Sequence, residues 1–426
     1  MKKELVIIVD PLSTGELLYQ TIVQRGFDVI CIFTLKKETV QDILENLEAM
    51  EKKALNCIYT NDVDEVIRKL DLSNHYLKAI IPGSEPGVEL VGQLSEIYKT
   101  NFNPKSLTII ARNKAKLKSS LENKGLLNTK YKKCHTIWDI DQFIQKGHFP
   151  FVIKNPSGAG QNQVFICHSI EELYKGFETI ISQQNLFGLS SNYALLEEYI
   201  GGKEYAVNLF ADGSHIFLTD IWEYERINTN YAENLYYNAI EVSYKRETLC
   251  GIVDYAIQIC KNLDLRRGPV HVEVKDDPIK GPVLIDFGLR HYGLKLPILC
   301  KQFSNFAPFK STLDVFVHGK INVKTPVKFK KHVAVAFVPV EQTGKVEKIN
   351  GLNYIQQLPS YFSHRLKIKP GNNIKPTKEL GDTPFYVFLA HSSRQQLMWD
   401  IADVHNSFEI VCHQEADLLL LNVRNR

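Results

Sequence analysis

Residues 268–290 read GPVHVEVKDDPIKGPVLIDFGLR, two apolar runs separated by a polar turn. This pattern predicts two adjacent antiparallel strands, each carrying one acid, Glu273 and Asp286. Antiparallel pairing can bring two such residues side by side, where like charges are unfavourable unless a cation lies between them. Mg²⁺ prefers hard oxygen ligands and usually keeps waters and substrate phosphates. The two acids on core strands therefore predict a metal site.

Two further polar residues lie close to this acid pair in the sequence. Arg290 follows Asp286 by four residues, and His271 precedes Glu273 by two. An arginine fork suits a phosphate or a carboxylate. The alternative is that Arg290 neutralises the acid pair as a buried ion pair.

Upstream, residues 195–205 read LLEEYIGGKEY. Glu197 and Glu204 are separated by a Gly-Gly turn, and their carboxylates could accept hydrogen bonds from an exocyclic amine and from ribose hydroxyls. Backbone groups at the strand edge could then pair with a purine. The alternative is a set of solvated glutamates on a strand and turn.

Further upstream, residues 149–168 read FPFVIKNPSGAGQNQVFICH, a strand, a Gly/Ser loop and a second strand. Lys154 ends the first strand, where it could place a cation on a phosphate. The glycines that follow allow backbone N–H groups to approach phosphate oxygens. The loop is not a Walker A loop, because G-x-x-x-x-G-K-[ST] is absent, and many surface hairpins also contain Gly and Lys.

The start of the chain predicts an open α/β sheet over roughly the first 105 residues. A strand at 4–10, a helix ended by Gly26 and a second strand form a β-α-β unit, followed by helices over 40–53 and 62–70. A basic helix is predicted over 111–126. Turns are the simplest role for the glycines at strand ends and for Ser84 and Glu85, although such loops also bind ligands.

The composition excludes several classes of protein. The chain has 426 residues, of which 44% are hydrophobic and 23% charged, as in ordinary globular proteins, and its net charge is only +3. A nucleic-acid or membrane partner is therefore not expected. The apolar run after the N-terminus is too short for a signal peptide, and none of the eight cysteines forms C-x-x-C. We expect reduced thiols and a cytoplasmic protein.

Taken in order, these motifs resemble the ATP-grasp superfamily. They resemble more closely its L-amino acid ligase branch, which includes bacilysin synthetase and carnosine synthase. The motifs that carry the resemblance are VDPLSTG, PGSEPGVELVGQLS, ARNKAKLKSSLENKGL, VIKNPSGAG, LLEEYIGGKEYAVN, LTDIWEYER, GPVHVEV and LIDFGLRHYG. The resemblance covers essentially the whole chain.

The resemblance implies roles for individual residues. Glu273 and Asp286 would hold Mg²⁺, and the catalytic residues would be Arg290, Lys154 and His271. Residues expected to bind ATP are Lys114, Lys154, Ser157, Gly158, Gly160, Glu197, Glu198, Tyr199, Ile200 and Glu204. The chain departs from the common pattern in having Asp286 for Glu, and Gly288 where many members have a metal-binding Asn.

The resemblance also implies an α/β, in part α+β, fold and a reaction. It predicts a pre-ATP-grasp domain (1–105), an ATP-grasp part with a mobile lid (106–192), a catalytic core (193–328) and a β-rich C-terminal part (329–426). The implied activity is carboxylate–amine ligation through an acyl-phosphate, using ATP with Mg²⁺ or alternatively Mn²⁺. Small substrates and a homodimer are expected. The alternatives are a carboxylase or other metabolic ligase, and a non-catalytic nucleotide sensor.

Overall fold

The computed structural model of the protein describes residues 2–158, 161–185, 187–242 and 246–413. The chain divides into two units, Met1–Ile221 with Tyr244–Lys328, and Trp222–Ser243 with Phe329–Arg426. None of the helices in the described ranges is long and apolar enough to cross a membrane. The four-part division predicted above stays a prediction.

The first unit begins with a four-stranded parallel sheet of order β3-β2-β1-β4. Its strands are β1 (Lys3–Val9), β2 (Asp28–Phe33), β3 (Asn56–Tyr59) and β4 (His75–Pro82). The connecting helices are α1 (Thr14–Gln24), α2 (Lys37–Ile43), α3 (Leu47–Lys53), α4 (Val63–Lys69) and α5 (Val88–Tyr98). The single helix predicted over 40–53 is wrong, because Leu44 adopts an extended conformation that buries its side chain and separates α2 from α3.

Two helices and a small antiparallel sheet follow. The helices are α6 (Lys105–Ala111) and α7 (Lys114–Asn123). The helix predicted over 111–126 thus begins at Lys114, because the Asn113 side chain accepts a hydrogen bond from Lys116 N (3.0 Å) and caps α7. The sheet has the order β5-β8-β6-β7. Its elements are β5 (Tyr131–Cys134), α8 (Ile137–Ile144), β6 (Phe151–Lys154), β7 (Val164–Cys167), α9 (Ile170–Ser182) and β8 (Ala194–Glu198).

The larger sheet of the first unit carries the predicted acid pair. The next elements in chain order are β9 (Lys203–Asp212), β10 (Ile216–Ile227), β11 (Leu235–Glu241), α10 (Arg246–Asn262), β12 (Arg267–Asp277), β13 (Gly281–Gly288), α11 (Pro297–Phe303) and α12 (Pro308–His318). Within the first unit the strand order is β13-β12-β9-β10. The predicted antiparallel pairing of β12 with β13 is present, with Glu273 directly opposite Asp286.

The second unit is rich in strands. Its elements after β11 are β14 (His332–Val338), β15 (Gly344–Asn350), α13 (Leu352–Ile355), β16 (Tyr361–Leu366), β17 (Asn373–Ile374), a short 3₁₀ turn (Leu380–Asp382), β18 (Phe385–His391), α14 (Arg394–Ser407) and β19 (Glu409–His413). One sheet has the order β11-β14-β18-β16 and a second the order β17-β15-β19. The core between these elements includes Ile355, Val387, Leu397 and Val404.

Candidate active site

The acid pair lies at an irregularity in the large sheet. Between Glu273 and Val274 the pairing of β12 with β13 shifts by one residue, which is a β-bulge beside the two carboxylates. Lys114 Nζ lies 2.8 Å from Asp286 Oδ1, and His271 Nε2 lies 3.1 Å from Glu273 Oε1. Burial alone would raise the pKa of Asp286, but the positive charges of Lys114, Lys154 and Arg290 hold that pKa well below its usual range. Both carboxylates thus face cationic or hydrogen-bonding groups.

Lys114 also connects the acid pair to the Gly/Ser loop. It is the first residue of α7, and its Nζ donates to the carbonyl of Gly158 (3.0 Å) while its backbone N donates to Pro156 O (2.9 Å). The base of the loop is closed by Asn155, whose Oδ1 accepts from Ser157 N (2.9 Å). The structure therefore places Ser157 and Gly158 within the site, whereas the predicted ligand Gly160 lies outside the described residues.

A second cluster of charges is buried between α7, β6 and β8. Glu197 accepts contacts from Lys154 Nζ (2.9 Å) and from Lys118 Nζ (3.3 Å), and all three side chains are almost fully buried. Burial would raise the pKa of Glu197, but the two ammonium groups lower it. Lys118 was not among the predicted site residues. Its position four residues after Lys114, on the same face of a basic helix, was the available signal.

The segment after β8 lies next to a lysine from β12. Lys275 Nζ donates to Ile200 O (3.0 Å) and lies 4.7 Å from the centre of the Tyr199 ring. The Glu198 side chain accepts from Lys130 N (2.8 Å) and pairs with Lys280 (2.6 Å).

Glu204 lies nearby on the adjacent strand β9. It is buried and stands opposite Lys275 in the pairing of β9 with β12. The structure thus brings the predicted adenine and ribose ligands together at the end of β8 and the start of β9.

Arg290 has a partner that the sequence did not predict. Its Nε lies 2.8 Å from Glu85 Oε2, and Arg112 Nη1 lies 2.8 Å from Glu85 Oε1, so one carboxylate bridges two guanidinium groups. Arg290 Nη1 also donates to His291 O (2.9 Å). Glu85 was expected to serve a turn. Its place after β4, where the strand order of the first sheet reverses, was the signal for a site residue.

Gly288 leaves room for this arrangement. A Cβ atom at Gly288 would lie 2.9 Å from Glu85 Oε2 and 3.5 Å from the guanidinium carbon of Arg290. The glycine that replaces the common metal-binding Asn therefore makes room for the Glu85–Arg290 pair.

His291 and Trp222 are buried and have structural contacts. His291 bonds to Thr312 Oγ1 (2.8 Å), and its pKa is lowered to about 3 by burial and by the charge of Arg290. Trp222 is completely buried, which indicates a packing role.

The carboxylates and cationic side chains of this site fit a nucleotide bound with magnesium. Over the described ranges no group of three or more His, Cys, Asp or Glu could enclose a metal ion on its own. Mg²⁺ is typically held by one or two carboxylates together with substrate phosphates, so Glu273 and Asp286 are sufficient ligands. Lys114, Lys154 and Arg290 supply the cations that a polyphosphate needs.

Comparisons with known proteins agree with this geometry. The family model of the ATP-grasp domain matches residues 147–294. The chain thus carries an ATP-grasp domain over these residues, and the predicted ADP-forming ligase class, with ATP and Mg²⁺ as cofactors, agrees with it.

Among individual relatives, Dapdiamide A synthase of Enterobacter agglomerans is 25% identical over 319 residues, 74% of each chain. The crystal structure of an L-amino acid ligase from Bacillus licheniformis has a TM-score of 0.79 at 18% identity, covering 97% of this chain and all of that one. The match shows a shared fold, and the predicted L-amino acid ligase branch agrees with both of these matches.

The fold is also shared with other ATP-grasp enzymes. The biotin carboxylase domain of Hydrogenobacter thermophilus 2-oxoglutarate carboxylase, in complex with MgADP, has a TM-score of 0.68 at 14% identity. It covers 96% of this chain and 91% of that one. At this identity the match concerns the fold alone.

Proposed function

We propose that this chain joins the carboxylate of an amino acid to an amine or a second amino acid, through an acyl-phosphate, with release of ADP and phosphate. The observation that carries the proposal is that Lys114 contacts Asp286, which stands opposite Glu273, while the charges of Lys154 and Arg290 also act on Asp286. The relative named Dapdiamide A synthase supports amide formation as the reaction.

The chemistry requires activation, because a carboxylate and an amine do not condense usefully in water. A carboxylate oxygen attacks the γ-phosphorus of ATP, the bond to the ADP oxygen breaks, and an acyl-phosphate forms. The amine nitrogen then attacks the acyl carbon and loses a proton, and phosphate leaves. Lys154 and Arg290 would neutralise the charge that develops on the transferred phosphoryl group, which is the main catalytic device in such reactions.

Metal binding is assigned to Glu273 and Asp286 in this proposal. Glu273 and Asp286 would hold Mg²⁺, or alternatively Mn²⁺, which would supply the positive charge that screens the phosphates. Lys114, which contacts Asp286 in the structure, would turn to the phosphates when the metal is bound. The loop containing Ser157, Gly158 and Gly160 would cover the phosphates and exclude water from the acyl-phosphate.

The adenine and ribose roles are proposed with one refinement. The carboxylate of Glu197 lies between two lysines, so its contribution is to fix Lys154 beside the phosphates. The backbone of Glu198, Tyr199 and Ile200 would pair with adenine at the strand edge, and Glu204 would bind the ribose hydroxyls.

A phosphate-release screen over pairs of amino acids and amines, with ATP and Mg²⁺, tests the proposal. We expect release that needs both partners, and trapping of the activated acyl group by hydroxylamine when the amine is omitted. Release that depends on bicarbonate instead would support the alternative carboxylase reaction. Nucleotide binding without turnover for any pair would support the alternative sensor.

The assembly and location of the protein form part of the same proposal. A homodimer is expected from the resemblance, and light scattering after gel filtration measures it directly. The eight cysteines are free thiols in the structure, which supports the expected cytoplasmic location.

A further inference from the structure

One hydroxyl group of the VDPLSTG segment (9–15) binds the chain just after Arg290. Thr14 Oγ1 donates to Tyr292 O (2.8 Å) and accepts from Lys295 N (3.0 Å). The Thr14 side chain is only 3% exposed, so water is a poor substitute partner for these two backbone groups. This single hydroxyl therefore holds both ends of the turn that leads from β13 to α11.

Ser13, the residue that precedes α1, supports the same turn. A serine before a helix normally accepts a hydrogen bond from an N–H group of the first helical turn. Ser13 makes no such bond, and its Oγ accepts from Leu294 N instead (3.2 Å). The two hydroxyl groups at the start of α1 thus bind a turn that follows them by about 280 residues in the chain.

The turn needs this support because its backbone adopts an unfavourable conformation. Leu294 and Lys295 have φ angles of 57° and 60°, in the left-handed region that residues other than glycine rarely adopt. Such a conformation persists only where surrounding contacts offset its cost. Besides the two hydroxyl groups, Glu16 in the first turn of α1 contributes an ion pair with Lys295 Nζ (2.6 Å).

The VDPLSTG segment also contacts the loop that carries Glu85. A Cβ atom at Gly15 would lie 2.5 Å from the carbonyl oxygen of Gly83, so the two backbones pack directly against each other. The segment therefore contacts the chain on both sides of the ion pair between Glu85 and Arg290 (2.8 Å). A shift of the segment would change the separation of these two charges.

We propose that Thr14 is a positioning residue for Arg290. This inference rests on the ligase function proposed above, in which Arg290 stabilises the transferred phosphoryl group. Arg290 Nη1 donates to His291 O (2.9 Å), so the backbone that Thr14 holds at Tyr292 also sets the plane of the guanidinium group. A displaced guanidinium group slows the reaction more than it weakens the binding of ATP, because its charge acts where the phosphoryl group is transferred.

The variant Thr14→Val tests the assignment, because valine keeps the shape of the side chain and removes the hydroxyl group. We expect kcat for phosphate release to fall by roughly 10- to 10²-fold, since small misplacements have effects of that size, with KM for ATP unchanged. Thr14→Ser retains the hydroxyl group and should keep kcat near that of the wild type. An equal fall in both variants would overturn the proposal, as would a wild-type kcat in Thr14→Val.

Two controls separate positioning from a general loss of stability. Thr21→Val makes the same substitution on α1, where the hydroxyl group donates to Leu17 O of the same helix (2.9 Å), and it should leave kcat unchanged. In an Arg290→Ala background, Thr14→Val should cause no further loss, because its effect passes through the guanidinium group. Equal losses with and without Arg290 would contradict a positioning role.

The placement of Arg290 can be read without any activity measurement. In ¹H–¹⁵N spectra of protein labelled at arginine, the Nε–H signal that disappears in Arg290→Ala belongs to Arg290. Because this Nε lies 2.8 Å from Glu85 Oε2, we expect a signal distinct from those of exposed arginines, and a return toward them in Thr14→Val. An unchanged signal in Thr14→Val contradicts the positioning role even if ligation is found. The expected signals in a protein without ligation would support the positioning of Arg290 and contradict the proposed function.

Discussion

Arg290 is held from two sides before any substrate binds. Its Nε pairs with Glu85 and its Nη1 with His291 O, which fixes the plane of the guanidinium group. A preorganised charge of this kind stabilises a transition state without having to reorient during the reaction. The alternative prediction, that Arg290 neutralises the acid pair, stays a prediction, and the charge of Arg290 does contribute to the low pKa of Asp286.

At this scale, Arg290→Ala should lower kcat by roughly 10²–10³, the usual loss for one charge stabiliser. Glu85 keeps its partner Arg112 in the variant, so no buried carboxylate is left without a counterion. Steady-state phosphate release measures the effect. Arg266→Ala is the control, because Arg266 is exposed and pairs only locally with Asp264 (2.6 Å). Near-normal turnover of Arg290→Ala would remove this residue from the mechanism.

The glycine beside Arg290 gives a second prediction at the residue scale. Gly288→Asn introduces the residue that many ATP-grasp enzymes use as a metal ligand, but its Cβ would collide with Glu85 Oε2. We expect displacement of Glu85 and Arg290 and a fall in kcat of up to roughly 10²-fold, since small misplacements have effects of that size.

The matched control is Gly293→Asn, because a Cβ atom at Gly293 would meet no heavy atom within 4 Å. Both variants are compared by kcat and by thermal unfolding. If Gly288→Asn were as active as the wild type or more so, the steric role of Gly288 would be wrong.

At the scale of elements, α7, β6 and β8 share one buried charge cluster. Lys118 and Lys154 both contact Glu197, and burial is the main reason that the pKa of Lys118 is lowered to about 8. Removing Glu197 would leave two buried ammonium groups without a counterion, a kind of change that is strongly destabilising. The cluster therefore links the packing of these three elements to the placement of Lys154.

The lowered pKa of Lys118 makes stability depend on pH. The unfolded chain holds this proton up to about pH 10.5 and the folded chain only up to about pH 8. Between these values the unfolded state binds more protons, so the free energy of unfolding rises with pH.

The variant Lys118→Met has no titrating group at this position, so its free energy of unfolding should lack this rise with pH. From pH 7.5 to 9.5 the wild type should gain about 2 kcal/mol relative to the variant, at about 1.4 kcal/mol per pKa unit. Urea unfolding at the two pH values measures the difference, and Lys116→Met, on the exposed face of α7, should behave as the wild type. A pH-independent difference between wild type and Lys118→Met would show that Lys118 stays protonated.

What the sequence could predict depends on how far apart the contacting residues lie in the chain. Glu273 and Asp286 belong to one hairpin, so strand periodicity and a turn are enough to place them opposite each other. Glu85 and Arg290 follow strands of different sheets and are 205 residues apart in the chain, and no local sequence pattern predicts such a contact. Lys118 and Glu197 also come from separate elements, a basic helix and a strand whose pairing with β5 and β6 is set by the whole sheet.

At the scale of the whole molecule, the small net charge of +3 coexists with strong local charge. The cations that matter are placed singly, at the ends of α7, β6 and β13, where a polyphosphate would meet them. The expectation of small-molecule substrates agrees with this distribution, because no broad basic surface is needed.

The eight cysteines give a prediction for the whole chain. All of them are free, including Cys31 and Cys57, which stand opposite each other on β2 and β3. A hydrogen bond between these two thiols, together with burial, raises the pKa of Cys31. Ellman's reagent in denaturant, without prior reduction, should count eight thiols per chain, and a count of six would demonstrate a disulfide.

The bridge from Glu85 to Arg112 and Arg290 limits how this protein can be recombined with its relatives. Glu85 precedes α7, which carries Lys114, whereas Arg290 follows β12 and β13, which carry the acid pair. A chimera that exchanges residues 1–105 replaces the carboxylate but keeps both guanidinium groups. A functional chimera therefore needs the residues at positions 85 and 288 to come from the same parent. These two positions should be exchanged together.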